Sequence, residues 1–203
     1  IGSSHAGEAF TVDYDLPNLI SYTESCAALG LALFANRMLL LENDSKYADV
    51  VERAIYNGFM SSISLDGKSY FYTNPLEIIP ELHKRDASVS HDSMWLPSMK
   101  RFEVFSCSCC PPNIVRTVAG IGDYVYSYSS DEDILFVNQF ISSSYEKDGK
   151  SVCLSTEFPK NGKISIKDAS CIQKYVVEIT NCGYVGQYLV HIEQPTTEPT
   201  TTV

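Results

Sequence analysis

The sequence predicts an α+β chain with a helical first part and a β-rich second part. Up to about residue 127, apolar residues recur every three or four positions, as on one face of a helix. From Asp133 onward they cluster with β-branched neighbours or alternate with polar ones. Apolar residues make up 44% of the 203 residues, so the chain can bury a core.

The first predicted helix covers residues 22–42, entered through Asn18 or Ser21 as a cap. Its apolar side chains recur every three or four residues and predict one buried face. That face consists of Ala27, Leu31, Phe34 and Met38.

Two further helices follow from the same periodicity. One covers residues 46–63 and buries Tyr47, Val51, Ala54, Ile55 and Phe59. The other opens with Pro111-Pro112-Asn113, because proline suits the first helical turn, and runs through Ile114, Val118 and Ile121 toward Tyr124. Between them lies an irregular stretch at 74–106, and connections of that length are usually functional or mobile.

Four segments of the second part are rich in strand formers: 134–141, 152–157, 163–167 and 175–179. Lys160-Asn161-Gly162 is typical of a hairpin turn. They predict an incomplete antiparallel β-sandwich, because the strands are too few to close one. The expected domains are therefore 1–128 and 129–194, with a low-complexity, disordered tail at 195–203.

The acidic balance disfavours some classes of partner. The formal net charge is −10, which repels phosphate backbones and anionic lipid, so neither nucleic acid nor membrane is expected as a partner. A neutral sugar substrate suits this charge. The chain starts without Met, so we interpret it as a piece of a longer protein and leave its location unassigned.

Cysteine is the residue type that most suggests chemistry. Three of the seven cysteines are clustered, at Cys107, Cys109 and Cys110. With Cys26 and Glu24, the pair at 109–110 would complete a four-ligand set for zinc. The alternative is a buried helix cysteine beside a solvated carboxylate. Residues i and i+2 do not share a helix face, so Glu24 and Cys26 can converge only at an irregular or first-turn position.

Other candidates have modest local signals. Glu8 lies in a Gly/Ser-rich loop, where an exposed carboxylate is commoner than an acid/base. His5 could be a ligand, a substrate contact or a surface residue. The run Tyr70-Phe71-Tyr72 is more typical of a core strand than of a sugar platform.

Several motifs in order resemble glycoside hydrolase family 127, whose characterised members are non-reducing-end β-L-arabinofuranosidases. The resemblance covers about residues 1–145 and continues more weakly to about 180. The motifs are IGSSHAGEAF at 1–10, YDLPN at 14–18, YTESCA at 22–27, YADVVE at 47–52, SLDGK at 64–68 and CSCCPPNI at 107–114.

The resemblance implies the second half of an (α/α)6 catalytic barrel followed by the start of a β-sandwich. Its zinc ligands fall on Glu24, Cys26, Cys109 and Cys110. Its nucleophile falls on Cys109 and its acid/base on Glu8. The family's tyrosine beside the nucleophile falls on Tyr72, and Tyr72 and His5 are the expected substrate contacts.

The implied reaction is retaining hydrolysis through a thiolate, which a zinc ion would keep deprotonated. Two alternatives stay open: a zinc-stabilised structural or carbohydrate-binding fragment without turnover, and an active relative with another sugar specificity. We expect the isolated piece to be inactive, and we keep open a homodimer of the full-length protein.

Overall fold

The computed structural model describes residues 12–15, 17–81, 97–103, 107–131, 133–147, 150–161, 163–168, 175–176 and 189–193. The chain divides into two compact units, Ile1–Gly120 and Ile121–Val203. The division falls after Gly120, whereas the sequence placed the boundary at residue 128. The predicted domain bounds stay a prediction, and the predicted tail at 195–203 lies outside the described residues.

The first unit is helical. Its elements are α1 Ser25–Glu42, α2 Ser45–Arg53, a π-helical turn Ala54–Phe59, a 3-10 turn Met60–Ser62 and α3 Cys110–Ala119. Asn43 ends α1 in the left-handed conformation with a φ of 51°, which asparagine tolerates better than most residues. Asp44 then caps α2 by accepting the Lys46 N–H at 2.9 Å.

The predicted buried face of α1 is wrong. The buried apolar side chains are Leu29, Ala32, Ala35 and Leu39, whereas Phe34 is 64% exposed. Apolar residues surround α1 on nearly all sides, so their spacing alone singles out no face. The predicted caps Asn18 and Ser21 are also wrong, because Glu24 is the residue that precedes the helix.

Helix α1 also has the length and composition of a membrane span, with a mean hydropathy of 1.4 over 18 residues. Core helices of soluble proteins meet the same criterion. The expectation that no membrane is a partner therefore stays a prediction.

The second predicted helix has nearly the expected span, and Val51, Ala54, Ile55 and Phe59 are buried as predicted, whereas Tyr47 is only half-buried. It differs by turning π-helical after Arg53, a feature that periodicity does not reveal. In this turn Gly58 packs against α1 so closely that a Cβ atom there would lie 2.6 Å from the Ala28 Cβ. Any larger residue at position 58 would therefore clash with Ala28 unless the backbone shifted.

An extended segment after the turn lies beside the start of α1. Glu24 pairs with Thr73, and Tyr70 pairs with both Ile63 and Phe102 in isolated antiparallel bridges. Tyr70 and its neighbour Phe71 are buried, as a core segment rather than an exposed platform would be.

Arg101 also contacts this extended segment and links it to the 3-10 turn. Its guanidinium carbon lies 4.5 Å from the Phe71 ring centroid. Its Nε and Nη2 atoms donate to the carbonyls of Ser62 and Ser61 at 3.0 and 2.7 Å. The extended segment is therefore held between α1 and the 3-10 turn.

The second unit contains a short helix, α4 Gly122–Val125, and two sheets. The sheet orders are β1-β2-β6 and β3-β4-β5-β7. Its core includes Val125, Leu135, Val152, Leu154 and Ile164. The strands are β1 Tyr126–Ser129, β2 Ile134–Val137, β3 Ser143–Lys147, β4 Lys150–Thr156, β5 Lys163–Asp168, β6 Tyr175–Val176 and β7 Leu189–Glu193.

The prediction of mixed helix and antiparallel sheet is confirmed, but the sheets are not purely antiparallel. Pairs β1–β2, β3–β4 and β4–β5 are antiparallel, whereas β2–β6 and β5–β7 are parallel. Parallel neighbours need a crossover of a dozen or more residues, and long chain segments separate both parallel pairs. The barrel and the sandwich stay predictions.

Candidate metal-binding active site

The first half of the candidate site is the start of α1. Glu24 has an extended backbone (φ −63°, ψ 139°) and precedes the helix, while Cys26 lies in its first turn. This break in helical geometry lets two residues at i and i+2 face the same point, which a regular helix forbids. Glu24 is 7% exposed, so its carboxylate is taken out of water.

The second half is the start of α3. Cys109 directly precedes the helix and Cys110 is its first residue, followed by two prolines. Proline at the first helical positions lacks only an N–H that has no intrahelical acceptor there. Both cysteines therefore lie at the N-terminus of α3, where Cys109 makes no side-chain capping hydrogen bond.

The two helix starts bring the four predicted ligands together. The Cys26 sulfur lies 3.6 Å from the Cys109 sulfur and 3.5 Å from the Cys110 sulfur, and the latter two are 3.9 Å apart. Glu24 Oε1 lies 3.5 Å from the Cys109 sulfur. All four ligand atoms lie within 4.8 Å of one another, an arrangement that could hold a metal ion.

The surroundings of Cys109 and Cys110 would favour the thiolate over the thiol only with a cation bound at the cluster. Burial raises the pKa of the Cys109 thiol to about 12, and burial also raises the pKa of Cys110. The N-termini of α1 and α3 offset part of this, since helix N-termini stabilise thiolates. A bound cation would supply the remaining stabilisation and displace the thiol protons.

Asn74 donates hydrogen bonds to the segment that carries Glu24 and Cys26. Its Nδ2 atom lies 3.1 Å from the Thr23 carbonyl, 3.3 Å from Ser25 Oγ and 3.2 Å from the Gly58 carbonyl. Ser25 is fully buried, and its hydroxyl donates to the Phe71 carbonyl at 2.8 Å. One side-chain amide thus ties the start of α1 to the π-helical turn.

Tyr72 lies at the edge of the same cluster. Its backbone carbonyl accepts the Ser25 N–H at 3.0 Å. The Tyr22 hydroxyl lies 3.5 Å from the Tyr72 hydroxyl, and the two rings meet edge to face. Burial, followed by Tyr22 and Glu24, raises the pKa of Tyr72 above its ordinary value, so this hydroxyl stays a hydrogen-bond donor.

The cluster has two further neighbours: Asn113, which sequence reasoning did not single out, and Cys107, whose role it left open. The Asn113 amide donates to the Cys26 sulfur at 3.2 Å, and the exposed Cys107 sulfur lies 3.8 Å from that of Cys109. The signal for Asn113 was its position three residues after Cys110, on the same side of a helix. The predicted Glu8 and His5 lie outside the described residues.

Comparison with known proteins assigns a family. The family model described as "Beta-L-arabinofuranosidase, GH127 catalytic domain" matches residues 1–123. The chain belongs to glycoside hydrolase family 127.

Individual relatives of this GH127 chain cover more of it. It is 40% identical over 168 residues to a non-reducing-end β-L-arabinofuranosidase of Bifidobacterium longum, across 81% of this chain and 24% of that protein. A crystal structure of a GH127 β-L-arabinofuranosidase from Geobacillus stearothermophilus T6 matches with a TM-score of 0.70 and 45% identity, across 84% of this chain and 26% of that one.

A further solved structure, named a glycoside hydrolase, matches the GH127 chain with a TM-score of 0.64. It is 32% identical and covers 79% of this chain and 28% of its own. The chain thus spans about a quarter of the length of the relatives it matches.

Proposed function

We propose that the full-length protein is a retaining glycoside hydrolase that releases β-L-arabinofuranose from non-reducing ends. The observation that carries this proposal is the convergence of Glu24, Cys26, Cys109 and Cys110 on one point within a GH127 chain. The arabinofuranoside is proposed because two relatives bear the name β-L-arabinofuranosidase.

Zinc is the proposed metal, and the donor set fits it. Tetrahedral zinc with sulfur ligands at about 2.3 Å requires sulfur pairs to be about 3.8 Å apart, and sulfur and oxygen ligands to be about 3.6 Å apart. The three sulfur pairs here measure 3.5 to 3.9 Å, and the Cys109 sulfur lies 3.5 Å from the Glu24 oxygen. Thiolates with one carboxylate are also ligands that zinc accepts readily.

Cys109 is the proposed nucleophile because it is the more accessible member of its pair. Cys110 is fully buried, whereas Cys109 is partly exposed beside Cys107. The nucleophilic sulfur must be accessible to the anomeric carbon of the sugar, while the other three ligands would stay bound to the metal. Bound zinc would keep the Cys109 sulfur deprotonated at neutral pH.

The reaction would proceed in two displacements. The Cys109 sulfur attacks the anomeric carbon, the bond to the leaving oxygen breaks, and Glu8 gives that oxygen its proton. Glu8 then takes a proton from water, whose oxygen attacks the same carbon and breaks the carbon–sulfur bond. Two inversions give net retention, and Cys109 and Glu8 return to their starting states.

The remaining roles are proposed from family membership. Tyr72 would donate a hydrogen bond near the sulfur or the sugar, and His5 would contact the substrate. Residues 1–128 would form the second half of an (α/α)6 barrel, and residues 129–194 the start of a β-sandwich.

A structural zinc site without turnover is the second candidate, because Glu24, Cys26, Cys109 and Cys110 would supply the four protein ligands that structural zinc sites use. Glu8 discriminates between the two, because a structural site needs no acid/base.

The experiment is hydrolysis of a panel of aryl glycosides by the full-length protein, with the zinc content measured in the same preparation. Cys109→Ser should abolish turnover, whereas the matched control Cys107→Ser should retain it. Zinc at one equivalent without hydrolysis of any glycoside would favour the structural site.

A further inference from the structure

The Cys26 sulfur has a hydrogen-bond donor of its own. Asn113 lies in the first turns of α3 and donates from Nδ2 to this sulfur at 3.2 Å. The contact joins the two helices that form the site, because Cys26 is on α1. When the sulfur is a thiolate, it accepts a charge-assisted hydrogen bond from the N–H, and this bond draws electron density away from the sulfur.

Arg116 determines which end of the Asn113 amide faces the sulfur. Its Nη2 atom lies 2.8 Å from Asn113 Oδ1, and a guanidinium can only donate. The oxygen must therefore face Arg116, which turns the NH₂ group toward Cys26. A positive charge behind the amide also strengthens its N–H as a donor.

The sulfur atoms of Cys26, Cys109 and Cys110 therefore have different surroundings. Cys26 is held by the Asn113 amide, and Cys110 is fully buried. Among the residues that the structure describes, the hydrogen-bond partners of the Cys109 sulfur are the Cys26, Cys107 and Cys110 sulfurs and the Glu24 carboxylate, and no amide N–H is donated to it. Cys109 is therefore the one sulfur of the three that is neither bonded to the Asn113 amide nor fully buried.

We propose that Asn113, oriented by Arg116, is a positioning residue that holds the Cys26 sulfur as a fixed metal ligand and so leaves Cys109 as the sulfur free to react. This inference rests on the proposed function, since it needs a metal bound at the cluster. It adds two residues outside the ligand set, both on α3, that differentiate chemically identical ligands.

The test uses cobalt(II) as a spectroscopic replacement for zinc in the full-length protein. Asn113→Ala and the nearly isosteric Asn113→Asp both remove the N–H donor, and Arg116→Gln removes the charge behind it. Loss of the donor raises the energy of the sulfur electrons, so the thiolate-to-cobalt charge-transfer absorption should move to longer wavelength. The shift should be larger for both Asn113 variants than for Arg116→Gln.

Zinc affinity, measured by competition with a chromophoric chelator, should fall about 10- to 100-fold in Asn113→Ala, as is usual when the partner of a metal ligand is removed. The matched control is Thr117→Val. Thr117 donates to the backbone carbonyl of Asn113 at 2.9 Å, so this variant disturbs the same residue and leaves the amide intact. It should change neither the absorption nor the affinity.

Unchanged cobalt spectra and zinc affinity in both Asn113 variants would overturn the inference while leaving the proposed function standing. Equal shifts in Thr117→Val would overturn it too, because the effect would then be one of helix packing. A wild-type protein that binds neither zinc nor cobalt would refute the proposed metal site and this inference together.

Discussion

The sulfur atoms of Cys26 and Cys110 lie 3.5 Å apart although 84 positions separate them in the chain. This contact joins the N-terminus of α1 to the N-terminus of α3. Docking of the two helices and assembly of the ligand set are therefore the same structural event. Metal binding should consequently be coupled to the stability of the first unit.

Metal binding and resistance to unfolding should change together. Zinc should stabilise the full-length protein against unfolding by about 4 kcal/mol when its free concentration is about 1,000 times its dissociation constant. Thermal unfolding with zinc and with a chelator measures the difference. Cys110→Ser should lose most of it, because a buried ligand is removed, whereas Cys107→Ser should retain it. An equal gain in Cys110→Ser would place the metal elsewhere.

Gly58 and Gly30 provide a matched pair for the packing of α1. Gly58→Ala would set two Cβ atoms 2.6 Å apart, and Ala28 has no rotamer with which to yield. We expect a loss of about 1–3 kcal/mol in the free energy of unfolding. Gly30→Ala meets nothing within 4 Å and should stabilise α1 by about 0.5–1 kcal/mol. Denaturant titration measures both, and a neutral Gly58→Ala would show that the helices are not in close contact.

Asn74 should matter for stability and for metal affinity together. Asn74→Ala removes the side-chain donor to Ser25 Oγ and the Gly58 carbonyl, whereas the Thr23 carbonyl keeps the backbone N–H of residue 74 at 2.9 Å. The segment that carries Glu24 thereby loses its side-chain link to the π-helical turn. We expect the free energy of unfolding to fall by about 1–3 kcal/mol, with weaker zinc binding. A variant that loses stability but binds zinc as tightly as the wild type would show that Asn74 does not hold the ligands in place.

Tyr72 should act as a donor that does not titrate over the working range. Because burial raises its pKa above the ordinary value, the hydroxyl stays protonated at every pH below that value. Tyr72→Phe should lower kcat/KM about 100-fold and leave the alkaline limb of the pH profile where it is. Tyr22→Phe is the control and should have a smaller effect. A displaced alkaline limb in Tyr72→Phe would mean that Tyr72 itself titrates in the reaction.

The approximate positions of the helices, and the membership of a Glu/Cys cluster that could hold a metal ion, could be predicted from the sequence, for different reasons. Periodicity located α1 and α2, and Pro111-Pro112 located the start of α3. The predicted continuation of the third helix toward Tyr124 is wrong, because α3 ends at Ala119 and a separate α4 follows. The ligand set came from the resemblance to the family, since spacing alone left a buried helix cysteine as an open alternative. The structure adds the reason why Glu24 and Cys26 can converge, which is the extended backbone of Glu24 just before α1.

What the sequence could not predict depends on tertiary contacts. The buried face of α1 was misassigned, because Leu29 and Phe34 are equally apolar and only packing separates them. The π-helical turn and the contact of Gly58 with Ala28 depend on a neighbouring helix. The role of Asn113 depends on a sulfur 87 positions away. Parallel strand pairs were missed because strand propensity does not specify the partner or its direction.

If the Cys109 sulfur attacks the sugar, a covalent sugar–Cys109 intermediate forms and can be trapped. Glu8→Gln in the full-length protein keeps the shape of the side chain but removes the base that activates water. An aryl β-L-arabinofuranoside with a good leaving group should then give a covalent pentosyl adduct, visible by intact mass and located on Cys109 by peptide mapping. An adduct on another residue, or steady turnover with inversion at the anomeric carbon, would show that Cys109 is not the nucleophile.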